Sequence, residues 1–341
     1  MNEKTAVLLI NVGTPDSASV VDVKKYLKQF LSDKRVIEMP SILRYILVNF
    51  IIVPFRAKKS AEKYEAIWTK EGSPLLNHGI KFQKKLQSYF GDKTKIFLSM
   101  RYGNPSIQFE LEKIKNEKFD QIFIVPLYPQ FSTSTTESAI IEAKSIISKW
   151  DKQSNIMELN YFWNEPLYID SFVNQIKKYN FKNYDHILFS FHGLPIKQVQ
   201  NAHSGKSCDE LDCKNTMNEI NLLCYQSACY RTVDLLVKDL KIENDFYSTT
   251  FQSRLTKNWL EPFTDEKLKE LVSQGKKKIL VVCPSFVADC LETIHEIGIE
   301  YQHLFKELGG ESLTLVEALN SDEFWIENFG SLLQEKISKN R

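Results

Sequence analysis

The 341-residue sequence predicts an α/β fold of two similar domains, each a parallel sheet flanked by helices. Three observations predict it. Short apolar runs, Thr5–Val12, Ile187–Phe191 and Lys278–Val282 among them, suit strands buried on both faces. Each ends at a Gly or Pro break, which a central strand does not carry. Such strands alternate with stretches of helical apolar spacing through two successive rounds, with no Pro/Gly/Ser-rich linker. Residues 1–155 are expected to form the first domain and 156–312 the second, with a helix over about 313–341 returning to the first.

The first strand, Thr5–Val12, stops at Gly13-Thr14-Pro15. Ser19 then offers an N-cap with Asp22 three residues on, and Val20, Val23, Leu27 and Phe30 share one face. Tyr45–Phe55 is strongly apolar but carries Asn49 and Pro54. Its eleven residues fall short of the about 20 needed to span a bilayer. It reads as a core helix, or as an apolar lip rimmed by Arg56, Lys58 and Lys59 beside a greasy ligand or a membrane surface. Helices follow at Lys58–Trp68 and Asn77–Phe90, then strands at Lys95–Met100 and Gln121–Leu127 around a helix at Ile107–Lys118. The hydroxyl-rich tract Tyr128–Thr136 can cap the next helix or donate to a carboxylate. The second round has a strand near Met157–Phe162, a helix near Leu167–Tyr179 and the strand that runs into His192. Strands at Asp245–Phe251 and Lys278–Val282 and a last helix at Asp322–Ile337 complete it.

Lys and Arg (44) balance Asp and Glu (43), which argues against nucleic acid or another polyanion as partner. The N-terminus shows neither a signal peptide nor an Arg-rich transit segment, so a cytoplasmic location is expected. In that compartment six cysteines are not disulfide staples. Four of them, Cys208-x4-Cys213 and Cys224-x4-Cys229, flank a ten-residue, helix-like link. Four thiolates suit a tetrahedral Zn²⁺ or a [2Fe–2S] cluster, and the spacing does not choose between these and free thiols.

Two stretches carry candidate chemistry. His192 sits where an apolar strand gives way to Gly193-Leu194-Pro195, and ligands of open α/β sheets bind outside the carboxyl ends of strands. A core histidine satisfied by a carbonyl would look the same, so the position alone does not decide. After the strand Lys278–Cys283, a helix read from Phe286 onward places Asp289, Glu292, Glu296 and Glu300 within an arc of about 80°. No lysine stands at the compensating i+4 positions, so the acids repel one another. Such a column can attract a divalent cation or accept protons.

With these stretches in view, the sequence resembles the ferrochelatase family. FSFHGLP (Phe189–Pro195), TFQSRL (Thr250–Leu255) followed by Trp259-Leu260, and FVADCLETIHEIGIEY (Phe286–Tyr301) carry the resemblance. LLINVGTPDS near the N-terminus, IWTKEGSPLL (Ile67–Leu76), RYGNPS (Arg101–Ser106) and LYPQFSTSTT (Leu127–Thr136) appear in the same order as in that family. The resemblance implies an enzyme, a lyase that inserts Fe²⁺ into protoporphyrin IX to form protohaem, the last step of haem biosynthesis, with the porphyrin in a cleft between the domains. It implies His192 and Glu292 as catalytic and metal-contacting residues, and an acidic line through Asp289 and Glu296. Arg101, Tyr102, Ser132 and Trp259 are the implied substrate contacts. Alternatives within the class are coproporphyrin III or cobalt as substrates; outside it, a non-catalytic tetrapyrrole or metal carrier. The chain departs from the family at Cys290, where histidine is frequent, and in the Phe251-to-Trp259 spacing, one residue shorter than expected. The insert from Cys208 to Cys229 resembles the internal four-cysteine segment of certain bacterial members, for which a [2Fe–2S] cluster is implied.

Overall fold

The computed structural model describes residues 4–151, 154–203 and 205–340. Two four-stranded sheets carry the chain, and every strand pairing is parallel. The first runs β2-β1-β3-β4, from β1 (Thr5–Thr14), β2 (Thr94–Gly103), β3 (Gln121–Pro126) and β4 (Asn155–Glu158). The second runs β6-β5-β7-β8, from β5 (His186–His192), β6 (Tyr247–Gln252), β7 (Lys278–Val282) and β8 (Ser312–Leu315). In chain order within each sheet the pattern is the same, 2-1-3-4. The buried runs of β1, β3, β5 and β7 explain the strands: almost every side chain in them is inaccessible.

The helices between them are α1 (Val20–Ser32), α2 (Ser41–Ile46), α3 (Val53–Ile67), α4 (Pro74–Phe90), α5 (Ile107–Glu117) and α6 (Ser138–Ile147). In the second half come α7 (Pro166–Lys177), the short α8 (Ile196–Gln200), α9 (Tyr225–Leu240), α10 (Thr264–Ser273), α11 (Gln302–Glu307) and α12 (Glu323–Lys339). Ser19 caps α1 as its sequence predicts, accepting from the Asp22 amide at 3.2 Å. The reciprocal half of the box is rerouted: Asp22 accepts from Ser17 instead, and Ser17 Oγ takes the Ser19 amide.

The chain divides into two compact units. One runs to Leu127 and adds Thr133–Asn160 and the C-terminal turns from Leu333; the other holds Tyr128–Ser132 and Tyr161–Leu332. Among the described residues, no helix is long and apolar enough to cross a membrane.

Three local expectations change. Tyr45–Phe55 is helical but not core: Tyr45, Phe50 and Phe55 are 60%, 64% and 81% exposed, and only Val48 and Val53 are buried. The helix passes through Pro54 because Leu47–Ile52 is wound as a π-helix, whose i→i+5 bonding accommodates the missing proline donor. The link from Cys213 to Cys224 is a series of turns rather than a helix, and α9 begins only at Tyr225. The acid-bearing helix starts at Leu291 rather than Phe286 and is π-wound to Tyr301.

Candidate functional site

In the second sheet, chain order reverses between β5 and β7: β6 lies on one side of β5, and β8 on the far side of β7. Ligands of open α/β sheets bind at such a switch point, outside the carboxyl ends of the strands. His192 is the last residue of β5, and the π-wound helix Leu291–Tyr301 follows β7. The topology therefore brings His192 and the glutamates of that helix to one end of one sheet.

His192 is half-buried, and its Nδ1 lies 2.6 Å from the Gly193 carbonyl oxygen. A carbonyl only accepts, so Nδ1 carries a proton, and in the singly protonated ring Nε2 is the lone-pair acceptor. The Tyr225 hydroxyl donates to the His192 carbonyl at 2.9 Å. The residue after His192 must be glycine, since a Cβ at Gly193 would stand 2.8 Å from the Gln252 carbonyl and 3.3 Å from the Trp259 ring. Trp259 is placed beside the histidine despite its shortened spacing, with ring centroids 6.3 Å apart. It is pinned there by Leu260 N donating to Leu194 O and Ile196 N to Asn258 O.

The π winding sets the acidic side chains. With five residues nearly in register, Tyr301 donates to Glu296 at 3.2 Å, and Glu300 lies 3.7 Å from His295. Both Glu296 oxygens are also held by Ser253, one by its amide at 2.8 Å and the other by its hydroxyl. Ser253 reaches them from a left-handed backbone (φ 64), strained for serine, just past the end of β6. Burial pushes the Glu296 carboxyl up, against the pull of Ser253 and of His192, while Glu292 adds to the rise. His192 and Glu292 thus both act electrostatically on Glu296.

Asp289 precedes the helix, is 5% exposed, and accepts from Thr293 Oγ1, Asn320 Nδ2 and the Ala318 amide. Its carboxylate organises the helix entrance, and with Glu296 it adds to the upward push that burial gives the Cys283 thiol. Cys290 is the helix N-cap, and burial holds its thiol protonated beside Glu292.

A tether not expected from the sequence is Gln252, 1% exposed. Its Nε2 donates to the Glu292 carbonyl at 3.1 Å, its Oε1 accepts from Ser190 at 2.8 Å, and its own carbonyl takes the Gly193 amide at 2.8 Å. One side chain thereby fixes the backbone of Glu292 against the strand that ends in His192.

Arg101 and Tyr102 lie in the other unit, on β2, and their polar atoms are engaged. Arg101 donates to Asp33 at 2.7 Å and to Ser138 Oγ at 2.9 Å; the Tyr102 hydroxyl donates to Asp33 at 2.9 Å. Tyr102 is 2% exposed, and burial drives its hydroxyl well above its ordinary pKa. Ser132 is buried at the end of the segment Tyr128–Ser132, where Gln130 donates to Thr232 of α9.

The insert assembles differently from its cysteine spacing. His203, Cys208, Cys213 and Cys224 form a buried group able to hold a metal ion, their ligand atoms all within 4.8 Å of one another. Cys229 is not among them: it lies one turn into α9, buried against the Tyr225 side chain. His203 was not singled out because only the cysteines show a spacing; its signal is nearness in sequence to Cys208.

Sheet order, strand-end histidine and converging carboxylates define a chelatase-type α/β protein. Solved structures share the architecture: a SirB from Bacillus subtilis with Fe3+ (TM-score 0.54, 13% identity, 97% of this chain and 95% of that one) and the sirohydrochlorin chelatase SirB from Bacillus subtilis subspecies spizizenii in complex with cobalt (TM-score 0.55, 10% identity, 97% and 94%). At those identities the likeness concerns the fold alone. The ferrochelatase family profile matches residues 4–337. Ferrochelatases of Legionella pneumophila (strain Corby) and Coxiella burnetii (strain Dugway 5J108-111) are 44% and 41% identical to the chain, over 98% of it in both cases and over 100% and 95% of their own lengths. The chain belongs to the ferrochelatase family, and so to the lyases that insert Fe²⁺ into a porphyrin in haem biosynthesis.

Proposed function

We propose that this chain metalates protoporphyrin IX with Fe²⁺, with His192 accepting a pyrrole proton and Glu292 acting beside it as partner and metal contact. The observation that carries the assignment is the Nδ1–H of His192 committed to the Gly193 carbonyl, which leaves Nε2 to accept. A flat porphyrin carries two inward N–H protons, so a metal enters only when the ring bends and those protons leave. Glu292 is oriented through its backbone by Gln252, while Glu296, clamped by Ser253, passes protons onward. Trp259 supplies an aromatic face for the macrocycle, and Ser132 a hydroxyl. Arg101 and Tyr102 complete the substrate contacts, although Arg101 meets a propionate as a cation already paired with Asp33.

The exposed Ile42, Leu43, Tyr45, Ile46, Phe50, Ile51 and Phe55, beside Arg56, Lys58 and Lys59, suit peripheral contact of a cytoplasmic enzyme with an anionic membrane surface. The reaction is tested by mixing the protein anaerobically with Fe²⁺ and either protoporphyrin IX or coproporphyrin III and following the absorption spectrum. Protoporphyrin is expected to be metalated in preference, and Fe²⁺ in preference to Co²⁺. His192→Ala should lower turnover by about 10²–10⁴-fold with porphyrin binding, read by fluorescence, largely intact. Turnover retained in that variant would remove His192 from the reaction.

A further inference from the structure

We propose that His203, Cys208, Cys213 and Cys224 bind one Zn²⁺ in a closed tetrahedral site that staples the segment following His192. The distances are those of a single ion. With Zn–S about 2.3 Å and Zn–N about 2.0 Å, tetrahedral edges are about 3.8 Å from sulfur to sulfur and about 3.5 Å from nitrogen to sulfur. Cys208 Sγ lies 3.9 Å from Cys224 Sγ and 3.5 Å from His203 Nε2. All four donors stay within 4.8 Å of one another. A two-iron cluster divides its ligands between two metals and so sets ligand pairs on different irons farther apart. Its usual ligand sets are four cysteines, or two cysteines and two histidines with both histidines on one iron. Cys₃His is an ordinary structural zinc set, and donors all within 4.8 Å of one another suit one ion rather than two. The implied [2Fe–2S] cluster therefore does not fit these residues.

The surroundings agree. His203 is 1% exposed, and its Nδ1 has no hydrogen-bond partner among the described residues. Its Nε2 is the ring nitrogen turned to the thiols, 3.5 Å from Cys208 Sγ, as a ligand nitrogen must be. Asn221, fully buried, donates to Cys213 Sγ at 3.4 Å and to the Thr216 carbonyl at 3.1 Å, orienting a ligand as partners of bound metals do. Arg231 on α9 donates to the Lys214 and Asn215 carbonyls, and Ser227 to Thr216, which ties the insert's turns to that helix.

The consequence for His192 is topological. Chain leaves the histidine through Gly193 and α8 and reaches the site at His203. The ion returns it through Cys224 to Tyr225, whose hydroxyl holds the His192 carbonyl at 2.9 Å. Zinc closes that circuit. The site is inferred without regard to the reaction proposed above, and only its effect on turnover rests on that reading.

The test uses the full chain as purified. We expect one zinc per chain, no acid-labile sulfide and no visible colour. Exchange into Co²⁺ should give the strong ligand-field bands of tetrahedral cobalt with thiolate charge transfer. Cys229→Ser should leave zinc content and cobalt spectrum unchanged. His203→Ala should weaken zinc by more than the about 10–100-fold cost of removing a group that merely orients a ligand. Because loss of the ion can unfold the insert, His203→Cys provides a second arm: it should keep one zinc and move the cobalt spectrum toward four thiolates. Chelating the zinc should lower turnover about 10-fold or more, reversibly. Two irons and two sulfides per chain, a metal-free protein, zinc lost in Cys229→Ser, or an identical cobalt spectrum in His203→Cys would each overturn the site. Zinc removed with turnover untouched would overturn the staple. A protein that binds zinc in this way yet metalates no porphyrin would sink the proposed reaction and leave the site standing.

Discussion

On β1, a Cβ at Gly13 would lie 1.7 Å from the Tyr102 carbonyl oxygen of β2; just past β5, a Cβ at Gly193 would lie 2.8 Å from the Gln252 carbonyl oxygen of β6. Both sheets thus bring two neighbouring strands into close approach at their carboxyl ends, and both use glycine to allow it. What stands around the two glycines differs. Beside the first, Arg101, Tyr102, Ser138 and Asp33 form a closed hydrogen-bonded group. Burial pushes Asp33 up, but donors from Ser138, the Arg35 amide, Tyr102 and Arg101 outweigh it and hold the carboxyl below its usual range. Beside the second, burial wins over Ser253 and His192, and Glu296 is held above its usual range. One scaffold carries a carboxylate kept charged by its donors and a neighbouring arginine; the other carries one that burial and a second carboxylate, Glu292, push toward its protonated form. The first arrangement stabilises; the second is left able to take up protons.

The glycines give the strongest test of that parallel. Gly13→Ala adds a methyl into backbone at φ 107 and should cost more than about 4 kcal/mol, measured by urea unfolding. Gly193→Ala meets a looser contact and should cost about 1–3 kcal/mol. It should also move Trp259 against His192 and lower turnover beyond its effect on stability. Equal costs at the two sites would break the analogy. Asp33→Asn should cost about 3 kcal/mol at neutral pH by removing the nearer carboxylate from Arg101 in a largely buried group, leaving only Glu142 at 3.7 Å. Because the folded state holds Asp33 below its ordinary pKa of 3.8, its contribution is present above that pH and lost as pH falls through the lowered value. The difference between variant and parent should therefore close in acid.

Much of this was legible in the residues. β7 occupies Lys278–Val282 as its apolar run predicts, and Ser19 announced the start of α1. His192 could be placed at a strand end because Phe189–Phe191 is unbroken apolar sequence and Gly193 follows it. The misses share a cause, which is that periodicity assumes regular winding. The π-helix from Leu291 has no sequence signature, so Asp289 was expected on a helix that in fact begins only after it. Cysteine spacing could not show that α9 withdraws Cys229 from the insert, nor that a histidine takes the vacated corner. Ser253 in the left-handed region was invisible for the same reason: nothing in TFQSRL demands a positive φ, and only the finished packing around Glu296 does.

The smallest expected effect is the sharpest on the comparison. Glu296 has its folded pKa raised above the ordinary 4.5, so the folded chain holds that proton more tightly than the unfolded one. The associated stability is full below about pH 4.5 and is lost as pH rises through the raised value. Glu296→Gln removes the titrating group while still accepting one donor from Ser253. Relative to the parent, the variant should gain stability as pH rises from 4 toward neutrality, by about 1 kcal/mol or less. Asp33→Asn should show the reverse trend over the acid range, its deficit growing with pH until Asp33 is ionised. Two urea-denaturation series against pH therefore decide the point. Parallel trends would mean that both carboxylates are governed by the same surroundings, and the division between a closed group on the first sheet and a proton-accepting one on the second would fail.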